Sequence, residues 1–352
     1  MAKVYNIQLS ELETLLDMLC AYENDEDVSV DIETLKTFIN RLKNSFNTQN
    51  DESSLEKIAI NLGQLSKYKH LFPHIKTLLS KGMYFSDAVD PDYTILDLSD
   101  DDSIDLCREF YQEQGSFFSD AVEEYCEDVE DRLMFIKPNS YCDGEMHYLA
   151  TTGDAFVLSP NHRDIRKVSI LMHEFEHVID CFNNANFYRN SYIREIAAMF
   201  MEMIGCDHLA NKLKLDEDHL FRRYHIHSIV KSNSIYIPDK MELMRFMNSH
   251  KSKDEKTVIG EVEKVLNYEK GYIDYLLGSY LSEDYYYPIA YMIAIELYTI
   301  YNSDKEKALY ILMDIIMNGN DSNIFNMLKK YNIGIGHNIV NYENDMCLKL
   351  GI

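Results

Sequence analysis

Apolar residues recur at three- and four-residue intervals along most of this chain, and that spacing predicts helices almost from end to end. Leu12, Leu15, Leu16 and Leu19 share one face behind Ser10 and Glu13, which have the spacing of a capping box. Ile32, Leu35, Phe38, Ile39 and Leu42 mark a second helix. A third covers roughly 53–68, and Pro73 opens a fourth through Ile75, Leu78 and Leu79. Polar stretches at 44–51 and 90–92 break the pattern. Two further helices, 103–114 and 116–131, are separated by Gly115 in the position of a C-cap. In the second of these Phe117, Ala121, Tyr125 and Val129 repeat every fourth residue.

After Pro138 the period changes. A turn at 141–144 and the Thr152-Gly153-Asp154 turn bracket two short strand candidates, Met146–Ala150 and Ala155–Leu158. The helical period then returns over 164–182, where Ile165, Val168, Met172, Phe175, Ile179 and Phe182 form one apolar face. A polar loop at 183–190 precedes a helix, 191–205, that is apolar almost all round and is therefore expected to be buried. Residues 211–266 read as polar helices. Pro288 is placed in the first turn of a helix running toward Tyr301, which puts Tyr287 just before that helix begins. The remainder is helical with a break at 334–336. These elements divide into a helical N-terminal portion, 1–88, and a catalytic portion, 89–352.

Composition agrees with this picture. Only 6 Pro and 13 Gly in 352 residues favour long helices over a turn-rich β architecture. The net charge of −25 argues against nucleic acid or an anionic membrane as partner. About half of that charge lies in 97–131, with fourteen Asp/Glu against one Arg, which the four-residue apolar repeat assigns to the solvated face of a helix. The 7 Cys include no C-x-x-C pair, a usage that fits a reducing compartment. The N-terminus lacks the apolar run of a signal peptide and no segment is long enough to span a bilayer, so a cytoplasmic location is expected.

The chemistry concentrates in the 164–182 helix. His173 and His177 stand four residues apart in H-E-x-x-H, one turn along the same face, where both imidazoles can reach one Zn²⁺. Glu174 projects beside that face and is the candidate general base. Asp180 continues the same side and is a candidate for orienting a ligand. In the buried helix that follows, Glu195 and Glu202 lie seven residues apart on one face. Buried carboxylates need a metal, a donor or a cation, so Glu195 is the expected third zinc ligand and Glu202 an outer residue that orients a ligand histidine. The alternative is that the two glutamates pair with Arg or Lys. His225 and His227 are two apart, a poor spacing for a shared ligand face on a helix, and read as ordinary histidines. The phenol of Tyr287 could donate to an oxyanion, with packing as the alternative. The strand at Phe156, Val157 and Leu158 could pair with an extended peptide or be a structural hairpin.

These residues resemble the thimet oligopeptidase and oligoendopeptidase F family of zinc metallopeptidases. The resemblance runs from about residue 140 to 209 through NSYCDGEMHY, AFVLSP, RKVSILMHEFEHVID and EIAAMFME, and resumes in GSYLSEDYYY. It implies a mainly α, zincin-like fold with a small antiparallel sheet beside the zinc helix, and Zn²⁺ held by His173, His177 and Glu195. It further implies a matching second glutamate at Glu202, an edge strand for substrate, and substrate-contacting tyrosines at Tyr280 and Tyr287. Three features depart from the family pattern. Glu176 stands where the family has Gly, the stretch from His177 to Glu195 is short, and no His falls between His250 and His337. The expected activity is hydrolysis of short unstructured peptides. The alternatives are a zinc-containing but catalytically silent peptide binder and a processing peptidase dedicated to one peptide.

Overall fold

The computed structural model describes residues 54–79, 93–136, 138, 144–149, 154–183, 191–215, 217–250, 255–278, 280–320 and 322–351. The helices read over Leu12–Leu19 and Ile32–Leu42 and the breaks at 44–51 and 90–92 lie outside these residues. Helices α1 (Ser54–Tyr68), α2 (Phe72–Leu79), α3 (Asp100–Gln114), α4 (Ser116–Cys126) and α5 (Val129–Arg132) lead to strands β1 (Leu133–Ile136), β2 (Glu145–Leu149) and β3 (Asp154–Pro160). The rest is helical: α6 (Arg166–Asn183), α7 (Ser191–Leu213), α8 (Asp218–Ser234), α9 (Ile237–Ser249), α10 (Glu255–Val265), α11 (Lys270–Gly278), α12 (Leu281–Tyr301), α13 (Lys305–Asn318), α14 (Ile324–Lys330) and α15 (Ile339–Leu350). The fold is mainly α with one small mixed sheet, and no helix among the described residues is long and apolar enough to cross a membrane.

The chain forms two compact units, one of Met1–Glu52 with His147–Phe156 and a larger one of Ser53–Met146 with Val157–Ile352. In the smaller unit the structure describes only 147–149 and 154–156, which belong to β2 and β3. Helices α1 and α2, which the sequence groups with an N-terminal portion 1–88, lie in the larger unit, packed on α9 and α12. The buried Asn61 of α1 accepts a hydrogen bond from Leu281 N (2.7 Å), capping the start of α12.

Local rules account for the elements that position α6. Ser99 Oγ accepts from Asp102 N and the Asp102 carboxylate accepts from Ser99 N (both 3.0 Å), a complete capping box. Asp100–Asp102 place negative charge at the positive end of α3. The buried Lys167 of α6 donates to Asp100 Oδ1 (2.7 Å) and to the Leu98 carbonyl (3.1 Å), which ties the first turn of α6 to that cap. In α4 the core positions are Phe118, Ala121, Val122 and Tyr125, so Phe118 rather than Phe117 faces inward and the helix ends at Cys126.

β1 was not expected. A four-residue apolar run behind an acidic helix carries too little period to declare itself. It pairs in parallel with β3, Leu133 opposite Val157 through Ile136 opposite Pro160, and β3 lies between β1 and β2. Lys167 sits over the Phe135 ring (4.8 Å), which places β1 beside the first turn of α6.

α7 is the central scaffold, packed on both α6 and α12. Ile196, Phe200, Met201 and Leu209 are fully buried, each contributing roughly 1.5–3 kcal/mol of transfer free energy. α6 is also enclosed. The sequence pictures one buried face and one open ligand face, but Glu174, Glu176, His177 and Asp180 are all buried as well. In α12, Pro288 lies inside the helix rather than in its first turn. The helix starts at Leu281 because Asn61 caps it there, and the proline ring leaves the Asp284 carbonyl without its i+4 donor. Tyr287 is therefore a helical residue.

Candidate metal centre

α6 and α7 together bring His173, His177 and Glu195 to one point. One ligand atom from each, two imidazole nitrogens and a carboxylate oxygen, lies within 4.8 Å of the others. His173 Nε2 is 3.7 Å from Glu195 Oε2 and His177 Nε2 is 3.8 Å from Glu195 Oε1. A tetrahedral zinc site with bonds of ~2.0 Å separates its ligand atoms by ~3.3 Å. The two histidine–carboxylate distances exceed that by about half an ångström, so the side chains would have to draw together around an ion. Glu195 Oε2 is buried with no hydrogen-bond partner, a condition a cation would relieve. The donor set and the orphaned oxygen both fit a divalent ion.

The electrostatics point the same way. Burial opposes charge on His173, but the hydrogen bond it donates to Glu202 and the charges of Glu174, Glu202 and Glu195 hold its pKa up to about 9. The surroundings favour positive charge at that ring, as a proton or as a metal ion. His177 is pushed well below its usual range by burial, then by His173 and Arg194. Burial raises Glu195 against the pull of His173 and Arg194.

Glu174 is buried, and burial pushes its pKa up to about 8 against the pull of His173 and with the support of Glu195, Glu145 and Glu202. Gly144 closes over it. A Cβ at that position would stand 2.6 Å from Glu174 Oε1 and 2.7 Å from Ile170 Cγ2, and φ is +115°. Both the close approach and the left-handed backbone call for glycine. The sequence marks 141–144 only as a turn.

Glu202 makes both kinds of contact that the sequence left open. Its Oε2 meets His173 Nδ1 (3.2 Å), while Oε1 accepts from Arg222 Nη2 (2.7 Å) and Nε (3.0 Å). Burial would raise Glu202, but Arg222 and His173 hold it down to about 2. Asp180 has a different place from the one expected. It lies one turn along α6 from Glu176 and raises that residue's proton affinity, whereas His177 Nδ1 is buried with no hydrogen-bond partner among the described residues. Asp180 therefore does not orient the His177 ring. Glu176 itself is fully buried and driven well above the usual carboxyl range by burial, then by Asp180. It packs beside Tyr111 of α3, whose hydroxyl donates to the Met172 carbonyl (2.6 Å), so a buried carboxyl fills the space where the resembled family has glycine.

Tyr287 lies near the Glu195 carboxyl, whose charge, with burial of the hydroxyl, pushes the phenol well above its usual range, while the residue as a whole remains 42% exposed. Tyr280 stands one residue before α12 and its carbonyl accepts from Asp284 N (3.3 Å). The substrate strand expected at Phe156, Val157 and Leu158 is not an edge. β3 is the middle strand, and Val157 and Leu158 are buried in register with Leu133 and Met134 of β1. His227, also outside the cluster, meets Tyr291 (3.1 Å) and Glu343 (3.5 Å).

No family model and no curated protein matches the chain. Among solved structures it is similar to a protein described as an oligoendopeptidase F from Bacillus anthracis str. Ames, with a TM-score of 0.50 and 13% identity over 94% of this chain and 64% of that one. It is also similar to PZ peptidase A with a bound inhibitor, with a TM-score of 0.51 and 13% identity over 97% of this chain and 66% of that one. The similarity defines the fold, that of the helical oligoendopeptidase F-like peptidases, and the chain spans about two thirds of the length of those proteins.

Proposed function

We propose that this chain is a zinc-dependent peptidase that hydrolyses peptide bonds in short, unstructured peptides. The observation that carries the reading is the convergence of His173, His177 and Glu195 within 4.8 Å, with Glu174 buried against them. The peptidase-like fold supports it. Zn²⁺ held by those three residues would supply Lewis acidity, making water acidic near neutral pH and polarising a scissile carbonyl.

The chain's own residues account for the remaining roles. Glu174 accepts the proton of the attacking water and returns it to the leaving amine, and a carboxyl raised to about 8 suits both transfers near neutrality. The buried surroundings strengthen its interaction with the charges that develop. Glu202 holds the Nδ1 side of His173 and leaves Nε2 facing Glu195. The Tyr287 hydroxyl turns from Glu195 to the developing oxyanion. Backbone pairing by the substrate is left to an outer edge of the sheet, β1 or β2. The partner is the peptide substrate, and a cytoplasmic location belongs to the same proposal.

Glu174→Gln tests the reading. The variant should bind zinc as the natural chain does and lose about 10²–10⁴-fold in kcat on a fluorogenic peptide. Unchanged turnover with zinc retained would refute the role of Glu174.

A further inference from the structure

Arg222 lies on α8, outside every motif that carries the site. It is buried, and its guanidinium bridges the two helices that supply the ligands. Nε is 3.3 Å from Ser169 Oγ on α6, one turn before His173. Nε and Nη2 are 3.0 and 2.7 Å from Glu202 Oε1 on α7. Only the other oxygen of that carboxylate, Oε2, reaches His173 Nδ1, at 3.2 Å.

This division of the carboxylate has a chemical consequence. A free glutamate can rotate and offer either oxygen, or neither, to an imidazole. With Oε1 held by two guanidinium donors, the carboxylate plane is set and Oε2 is presented to Nδ1. A hydrogen on Nδ1 then leaves the Nε2 lone pair as the one available to a metal, so the tautomer and the ring orientation are chosen together. The fixed fork of arginine suits this task better than a point charge.

We propose that Arg222 is a positioning residue for the metal centre, acting through Glu202 to lock the His173 ring in its ligating tautomer. This rests on the zinc reading above and extends it to a residue that no motif marks. Arg222 touches neither substrate nor metal, so its loss acts on metal affinity before it acts on chemistry.

The test is the zinc affinity of the full-length chain, measured by competition with a chromophoric chelator, with circular dichroism to establish folding. Arg222→Met is expected to weaken zinc binding about 10–100-fold, the usual cost of losing an outer partner of a ligand. Arg222→Lys keeps the charge but not the fork and is expected to recover only part of that loss. Because Arg222→Met leaves Glu202 buried without a cation, the double variant Arg222→Met/Glu202→Gln, in which no unpaired charge remains, guards against misfolding. A folded double variant should bind zinc as weakly as the single one. Wild-type affinity in either folded variant would overturn the proposal while leaving the zinc reading intact, because a purely structural role moves the melting curve and not the affinity. If the unaltered chain itself binds no zinc, the zinc reading falls and this inference falls with it.

Discussion

Gly144→Ala is the sharpest perturbation the structure offers, because it adds one carbon beside the candidate base. The new Cβ would lie 2.6 Å from Glu174 Oε1, 2.7 Å from Ile170 Cγ2 and 3.2 Å from Glu174 Cδ. Ordinary contacts between such atoms begin at about 3.5 Å, so the Glu174 carboxylate has to retreat by about 0.9 Å. Ile170 sits in the core with 2% exposure and has little room to yield. The backbone adds to the cost, since φ of +115° is a conformation that a side chain strains by about 1–3 kcal/mol. A catalytic group displaced by about 1 Å can lose 10²-fold in rate. The expected result is a fall of about 10²-fold in kcat on a fluorogenic peptide, a lower melting temperature and unchanged zinc affinity, because the atoms nearest the added carbon belong to Glu174 and Ile170 and not to the three ligands. A Gly144→Ala protein with kcat within about 3-fold of the unaltered chain would refute the claim that this close approach sets the position of Glu174.

Other expectations follow from the same contacts. Tyr287→Phe should lower kcat by about 10²-fold with little change in KM, the signature of a donor used only in the transition state, and a change confined to KM would contradict that role. Adding zinc to chelator-treated protein should raise the melting temperature in a concentration-dependent way, as binding to the folded state requires. An unmoved melting curve across a zinc titration would count against a folded-state site. Glu343 is buried, and although burial opposes its charge, His227 and Lys231 lower its pKa. Its contribution to stability is therefore present above the unfolded carboxylate range, near pH 4.3, and lost as pH falls through the lower folded value. Glu343→Gln should destabilise the protein by about 3 kcal/mol at pH 7 and flatten the acid-side decline in melting temperature below about pH 4.3. An unchanged acid limb in the variant would show that the pair does not carry that pH dependence.

The parts of the site that were legible in the sequence are those written into single helices. His173, Glu174 and His177 declare themselves because four-residue spacing on a helix is itself the geometry of a shared ligand. Glu195 and Glu202 were legible because charge is conspicuous in a helix that is otherwise apolar. The long helices follow from period alone. What could not be read depends on contacts distant in sequence. Nothing near Arg222 hints that Glu202, on the preceding helix, and Ser169, a further helix back, converge on it. Gly144 reads as a turn until Glu174 is placed beneath it. Pro288 reads as a helix start because a first-turn rule favours proline there, whereas Asn61 of α1 caps α12 at Leu281. β1 is too short to show in the sequence pattern, and its presence removes the edge that a peptide-pairing role for β3 needs. Asp180 shares the ligand side of α6 by angle alone, but it lies beside Glu176.

The central claim is peptide-bond hydrolysis by the metal cluster with Glu174 as base. It is tested most directly by mass spectrometry of a mixed pool of unstructured peptides incubated with the zinc-loaded chain, with parallel samples containing a chelator or the Glu174→Gln variant. The account predicts cuts at defined bonds that disappear in both controls. Cuts that persist in both, or a zinc-loaded protein that leaves every peptide intact, would contradict it.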